Sequence, residues 1–121
     1  MCQPDKHDRY NNSEHGRAAN NARKRRYRAT EKGKRSLRNR YLKKIYGLSL
    51  VAWEDIFKAQ GSKCAACDGD NPESERGWCT DHDHKTGKFR AILCHPCNCA
   101  IHTRFTPARL RLLATYLEYF G

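Results

Sequence analysis

Two Cys-x-x-Cys pairs, Cys64-Ala65-Ala66-Cys67 and Cys94-His95-Pro96-Cys97, stand 26 residues apart in this chain. This spacing constrains the fold more than any other feature. Each pair sets two thiols on one side of a tight turn, and two such turns complete a tetrahedral four-sulfur site for Zn2+. Such a site is closed to water, so its expected role is structural. A chain of 121 residues with a mean hydropathy of −0.97 has little apolar surface to bury. Small domains of this kind need a staple, and a four-cysteine zinc supplies one. Cys2, Cys79 and Cys99 are left over. Cys2 reads as free, and Cys79 and Cys99 read as small buried hydrophobes. His82, His84, His95 and His102 are competing ligands that four well-spaced cysteines make unnecessary.

The segment between the pairs reads as a β-hairpin. Trp78 to His84 forms the first strand, and His84-Lys85-Thr86-Gly87-Lys88 the connection. Phe89 to Leu93 forms the return strand. Before the first pair, Ser49 caps a helix running to about Gln60, with Leu50, Trp53, Ile56 and Phe57 on one core-facing side. After the second pair, Cys94 to Asn98 opens a short helix. Thr106 then caps a last helix that starts at Pro107 and carries Leu110, Leu113, Leu117 and Phe120 as its stripe.

The charge is unevenly placed. The net value is +11, and residues 1–47 hold 15 of the 24 basic residues against four of the 13 acids. Residues 48–121 are neutral. Residues 1–16 are polar and aperiodic and read as a disordered tail. Residues 17–46 read as a basic helical arm interrupted at Gly33, whose Leu37, Tyr41, Leu42 and Ile45 pack lightly on the domain. The first half of the arm is expected to order only on nucleic acid. Residues 47–121 make the domain itself, and no internal repeat is evident. A one-signed arm beside a neutral domain is the footprint of a polyanion binder, with Arg23, Lys24, Arg25, Arg26, Arg28, Lys34, Arg35 and Arg38 as its contacts. The arm lacks the sustained apolar face that a membrane surface requires. No stretch spans a bilayer and no signal peptide is recognisable, so a cytoplasmic setting is expected.

Within the first strand lies Thr80-Asp81-His82-Asp83-His84. Period-two alternation puts Asp81 and Asp83 on one face and His82 and His84 on the other. Four ionisable groups in a row make a poor strand, and a local rule broken this plainly is expected at a functional site. Phosphodiester hydrolysis suits these groups. It needs a base active near neutral pH, which histidine provides. It also needs a hard cation held by few protein oxygens. Asp81 can offer a carboxylate, and Asn98, just after the last cysteine, an amide oxygen.

The run from Cys64-x-x-Cys67 through Asp81-His82-Asp83-His84-x-Thr86-Gly87-x-x-Arg90-x-x-Leu93-Cys94-x-x-Cys97-Asn98 resembles the recombination endonuclease VII family, within the wider His-Asn-His nucleases. The lead-in Tyr46-Gly47-Leu48-Ser49 and the end Ala59-Gln60-Gly61 resemble it too, so the likeness covers about residues 46–100. It implies a small α+β fold: a zinc-stapled ββα-metal (His-Me finger) core with the basic helical arm before it and a helix after it. It implies a DNA endonuclease, a hydrolase of phosphodiester bonds, of phage or prophage origin. Cys64, Cys67, Cys94 and Cys97 would bind structural zinc. Asp81 and Asn98 would bind catalytic Mg2+ or Mn2+, and His82 would activate the attacking water. His84 would sit near the scissile phosphate, and Arg90 would contact phosphate. Where the phage resolvase typical of the family has a Glu three residues after the Asn, this chain has Ile101, and the chain ends soon after. Junction resolution and nicking or homing cleavage both stay open, as do a monomer and a homodimer. The alternative to an enzyme is a non-catalytic zinc module that binds nucleic acid.

Overall fold

The computed structural model describes residues 5–101 and 105–121. Three helices come first: α1 (Lys6–Asn12), α2 (Glu14–Ala29) and α3 (Glu31–Tyr46). The domain follows as α4 (Leu50–Ala59), β1 (Cys79–His82), β2 (Phe89–Leu93), α5 (His95–Ala100) and α6 (Pro107–Phe120). The fold is a small α+β arrangement in which helices surround one antiparallel hairpin.

A two-stranded hairpin is marginal alone in water and needs a covering layer. Helix α4 supplies it. Ser49 caps α4 by accepting from the Ala52 N–H at 3.1 Å, and the helix then lays Trp53 onto the sheet. Leu42, Leu50, Trp53 and Ile92 form the buried core, ringed by Tyr46, Leu48, Ile56, Phe57, Trp78 and Phe89. Ile92 is fully buried. The Gln60 side chain acts as a short third strand against β2. Its amide donates to the Ile92 carbonyl at 2.9 Å and accepts from the Ile92 N–H at 3.1 Å.

The arm differs from its sequence reading in three ways. Residues expected to form a disordered tail carry α1. The helix break falls at Thr30, not at Gly33, which lies in the first turn of α3. And the arm contains a repeat. Arg9-Tyr10-x-x-Ser13-Glu14-x-Gly16 recurs as Arg26-Tyr27-x-x-Thr30-Glu31-x-Gly33, 17 residues later. Both units build the same corner. The Ser13 hydroxyl donates to the Tyr10 carbonyl at 2.7 Å and accepts from the Gly16 N–H at 3.0 Å. The Thr30 hydroxyl donates to the Tyr27 carbonyl at 2.6 Å and accepts from the Gly33 N–H at 3.0 Å. Each glycine lets the next helix close on the previous one: a Cβ at Gly16 would lie 1.8 Å from the Tyr10 oxygen, and one at Gly33 1.9 Å from the Tyr27 oxygen. Local bonding of this kind orders α1 and α2 without an apolar core.

Helix α3 is more firmly seated than a lightly packed arm. Leu42 is in the core, Arg35 pairs with both Glu54 oxygens at 2.7 and 3.1 Å, and Asn39 Oδ1 accepts from the Leu50 N–H at 2.9 Å. The Arg38 guanidinium sits 4.4 Å above the Trp53 ring. At the other end of the chain, Leu113, Leu117 and Phe120 of the stripe expected on α6 are exposed, as are Leu112, Tyr116 and Tyr119, while Leu110 is half-buried.

Candidate active site and metal centre

The two cysteine pairs meet at the base of the hairpin. The Sγ atoms of Cys64, Cys67, Cys94 and Cys97 all lie within 4.8 Å of one another, the only such metal-ligating group among the described residues. Cys67 Sγ and Cys94 Sγ are 3.8 Å apart. A tetrahedron with Zn–S bonds of about 2.3 Å has edges of about 3.8 Å, so the cluster is sized for zinc. Backbone bonding shapes the first turn: the Cys64 N–H donates to the Gly69 carbonyl at 2.9 Å and the Asp68 N–H to the Cys64 carbonyl at 3.0 Å.

Burial works against ionising Cys64, yet backbone N–H groups of Cys67, Cys94 and Ala66 lower its pKa to about 6. Burial and the neighbouring thiols Cys94, Cys67 and Cys64 push Cys97 well up. The Cys64 thiolate is easily formed here, while Cys94 and Cys97 are pushed the other way. A bound dication would offset the repulsion between thiolates. The His95 ring turns away to Cys99, with Nε2 3.5 Å from its Sγ. Cys99 is exposed and Cys79 only half-buried, which corrects the reading of both as buried hydrophobes. Cys2 and His102 lie outside the described residues.

The Asp81-His82-Asp83-His84 run divides its roles. Asp83 ends the strand, which is why β1 stops at His82, two residues short of expectation. Its carboxylate accepts from the Lys85 N–H at 2.8 Å and the Thr86 N–H at 2.9 Å, which form the turn. Those bonds hold its pKa below the usual carboxylate range. His82 and His84 stack in parallel, with centroids 4.8 Å apart and planes 6° apart. Tyr46 from the end of α3 also lies against His82, with centroids 5.3 Å apart and planes 56° apart. The pyrrole N–H of Trp53 donates to the Thr80 hydroxyl at 3.0 Å, which ties α4 to β1.

Asp81 is the one buried charged residue among those described, at 6 % exposure. It faces a β-bulge. Asp81 pairs with Ala91, but His82 pairs with Phe89, so Arg90 is the extra residue of β2. In an unbroken ladder Arg90 would lie opposite His82 and share its face. A bulge re-aims side chains, and here it swings Arg90 to the Asp81 side. Arg90 Nε donates to Asp81 Oδ2 at 2.7 Å and its terminal nitrogen to Oδ1 at 2.9 Å. That bidentate bond to Asp81 raises the Arg90 pKa further.

Asn98 lies on α5, the helix opened by Cys94 and packed against β1. It is half-buried, and its backbone N–H donates to the Cys94 carbonyl at 3.0 Å. The structure thus brings together the four cysteines, Asp81 with Arg90, and His82 with His84. It places Asn98 on the adjoining helix without a direct bond to Asp81. Of the arm cations, Lys34 pairs with Glu31 at 2.8 Å, while Arg35 and Arg38 are held on α4. Arg23, Lys24, Arg25, Arg26 and Arg28 on α2 are exposed and make no ion pair among the described residues. Sequence reasoning missed the Arg90–Asp81 pair, the Tyr46–His82 contact and the repeated corner. Only the last had a signal in the sequence, the 17-residue recurrence.

The chain is a small α+β domain in which four clustered cysteines that could hold a metal ion lie next to a strand bearing a buried aspartate and stacked histidines. Residues 38–119 match the model of the family described as recombination endonuclease VII. The chain belongs to that family. It is also similar to the Gene 59 protein of Mycobacterium phage D29, with 40% identity over 53 residues, which is 44% of this chain and 32% of that protein. The Gene 59 protein of Mycobacterium phage L5 gives the same identity and coverage, 40% over 53 residues. The match thus spans about a third of the length of these relatives. No solved structure matches the chain. Among the described residues no helix is long and apolar enough to cross a membrane.

Proposed function

We propose that the chain is a metal-dependent DNA endonuclease whose reacting groups are Asp81, His82 and Asn98, with His84 beside them. The family membership supports the nuclease class. The observation that carries the site is the bulged hairpin, which buries the Asp81 carboxylate one residue from a stacked, oriented histidine. His82 takes the proton from a water molecule as the water oxygen attacks phosphorus and the bond to the 3′ oxygen breaks. Its ring contacts both His84 and Tyr46, so little freedom is lost when substrate arrives. Asp81 and Asn98 would offer a carboxylate and an amide oxygen, the hard donors that Mg2+ or Mn2+ takes, once Arg90 gives way. When bound there, the ion would offset charge on the phosphate and the leaving oxygen. Zinc on the four cysteines would fix β2 and α5, and hence the Asp81 strand and Asn98, in place. The α2 cations carry affinity for DNA, and the setting is the cytoplasm of a host cell.

The reading as a non-catalytic zinc module has one observation in its favour, since Arg90 already occupies both Asp81 oxygens. Incubating supercoiled plasmid with zinc-loaded protein and Mg2+ or Mn2+ separates the two. The endonuclease reading expects nicked or linear product from the wild type and loss of product in Asn98→Ala. Intact plasmid under both metals would favour the binding module.

A further inference from the structure

The repeated corner has no part in the chemistry above. Serine and threonine at helix starts are common and need no special account. Glycine three residues on is different. It weakens a helix by about 1 kcal/mol relative to alanine, and here it appears twice, each time pressed on the carbonyl of the tyrosine six residues back. A solvated charged arm would have no use for two sealed corners of one geometry.

We propose that the Thr30–Gly33 corner is a docking device that fixes the cationic helix α2 at a set angle to the catalytic hairpin, so that a DNA duplex is held in register with His82. The inference rests on the endonuclease reading and deepens it. From the Thr30–Gly33 corner, α3 runs to the site through Arg35–Glu54, Asn39–Leu50, Arg38 on Trp53, and Leu42 in the core. It ends with Tyr46 against His82. The direction of α2 is therefore set, bond by bond, relative to the histidine. The partner is read from the charges on α2. Arg23, Lys24, Arg25, Arg26 and Arg28 advance by about 100° per residue and surround the helix. A flat anionic surface would meet only one side of such a helix. A duplex groove about 12 Å wide, walled by phosphates on both sides, meets the cations on both flanks of the helix as well as those facing its floor. Helix α2, with 16 residues, is about 24 Å long at 1.5 Å per residue, long enough to lie across several base pairs.

The test uses charge-neutral variants of the full zinc-loaded chain. Gly33→Ala and Thr30→Val both disturb the α2–α3 corner while leaving every cation in place. Binding of a fluorescein-labelled duplex of about three helical turns is followed by anisotropy, without added Mg2+ or Mn2+. Zinc content and the near-ultraviolet signal of Trp53 and Trp78 verify the domain. Gly33→Ala is expected to weaken binding about tenfold, some 1.4 kcal/mol. Thr30→Val, which removes both hydroxyl bonds of the same corner and leaves its glycine in place, carries the test if Gly33→Ala fails to fold, with a loss of about threefold expected. Affinities within error of wild type for the folded variants overturn the inference. Arg25→Gln with Arg26→Gln tests the underlying reading separately. A fall in the salt slope alongside unaffected Gly33→Ala and Thr30→Val variants rejects the corner alone. An unchanged slope rejects DNA binding by the arm, and the corner proposal with it.

Discussion

Removing Arg90 tests how the bulge governs the metal site proposed at Asp81. Asp81 is 6 % exposed and both its oxygens accept from Arg90, at 2.7 and 2.9 Å. Hydrogen bonds to a charged group contribute about 1.5–3 kcal/mol, and one buried partner left alone costs more. The Arg90 side chain is 43 % exposed, so solvent screens the pair and the lower end, about 1.5 kcal/mol, is the right scale. Two effects follow from Arg90→Gln. Stability of the zinc-loaded domain falls by roughly that amount, measured by urea unfolding. A divalent ion at Asp81 no longer displaces a guanidinium, so Mn2+ should bind about tenfold more tightly, since 1.4 kcal/mol is a factor of ten. Titration of Mn2+ followed by the electron-spin signal of the free ion measures this without reference to cleavage. Weaker or unchanged Mn2+ binding in a folded Arg90→Gln protein would show that Arg90 does not compete for the carboxylate, and would refute the reasoning.

Replacing Cys94 by Ser should unfold the domain, because a structural zinc is worth on the order of 10 kcal/mol; a cooperative thermal transition in the variant near that of wild type would contradict it. Gln60→Ala removes both side-chain bonds to the Ile92 backbone and should cost about 2–3 kcal/mol in urea unfolding, whereas a loss under about 0.5 kcal/mol, the scale of an inert surface change, would mean the third-strand role is idle. Ile92→Ala, at a fully buried site, should cost about 2–5 kcal/mol by calorimetry or denaturant.

Features set by local spacing were legible in the sequence. The paired Cys-x-x-Cys turns, the hairpin between them and the caps at Ser49 and Thr106 each depend on neighbours within a few residues, and each is present. The bulge was not legible. Nothing in Phe89-Arg90-Ala91 marks a skipped ladder position, since strand register is decided by packing on both faces. The second aspartate misled for a related reason. In Asp81-His82-Asp83-His84 a period-two pattern looks like one continuous strand, but the Asp83 carboxylate bonds forward to Lys85 and Thr86 and turns the chain. The α1–α2 order was missed because it needs no apolar stripe. It comes from side-chain capping and glycine contact, which hydrophobic periodicity does not detect.

The central claim is that His82 is the proton acceptor in phosphodiester cleavage. The most direct measurement is single-turnover plasmid cleavage by His82→Ala at zinc content and DNA affinity equal to wild type, with and without added imidazole. The account predicts a loss of about 10²–10⁴-fold, the usual range for a general base, with partial recovery on imidazole. Cleavage at the wild-type rate in His82→Ala would contradict it.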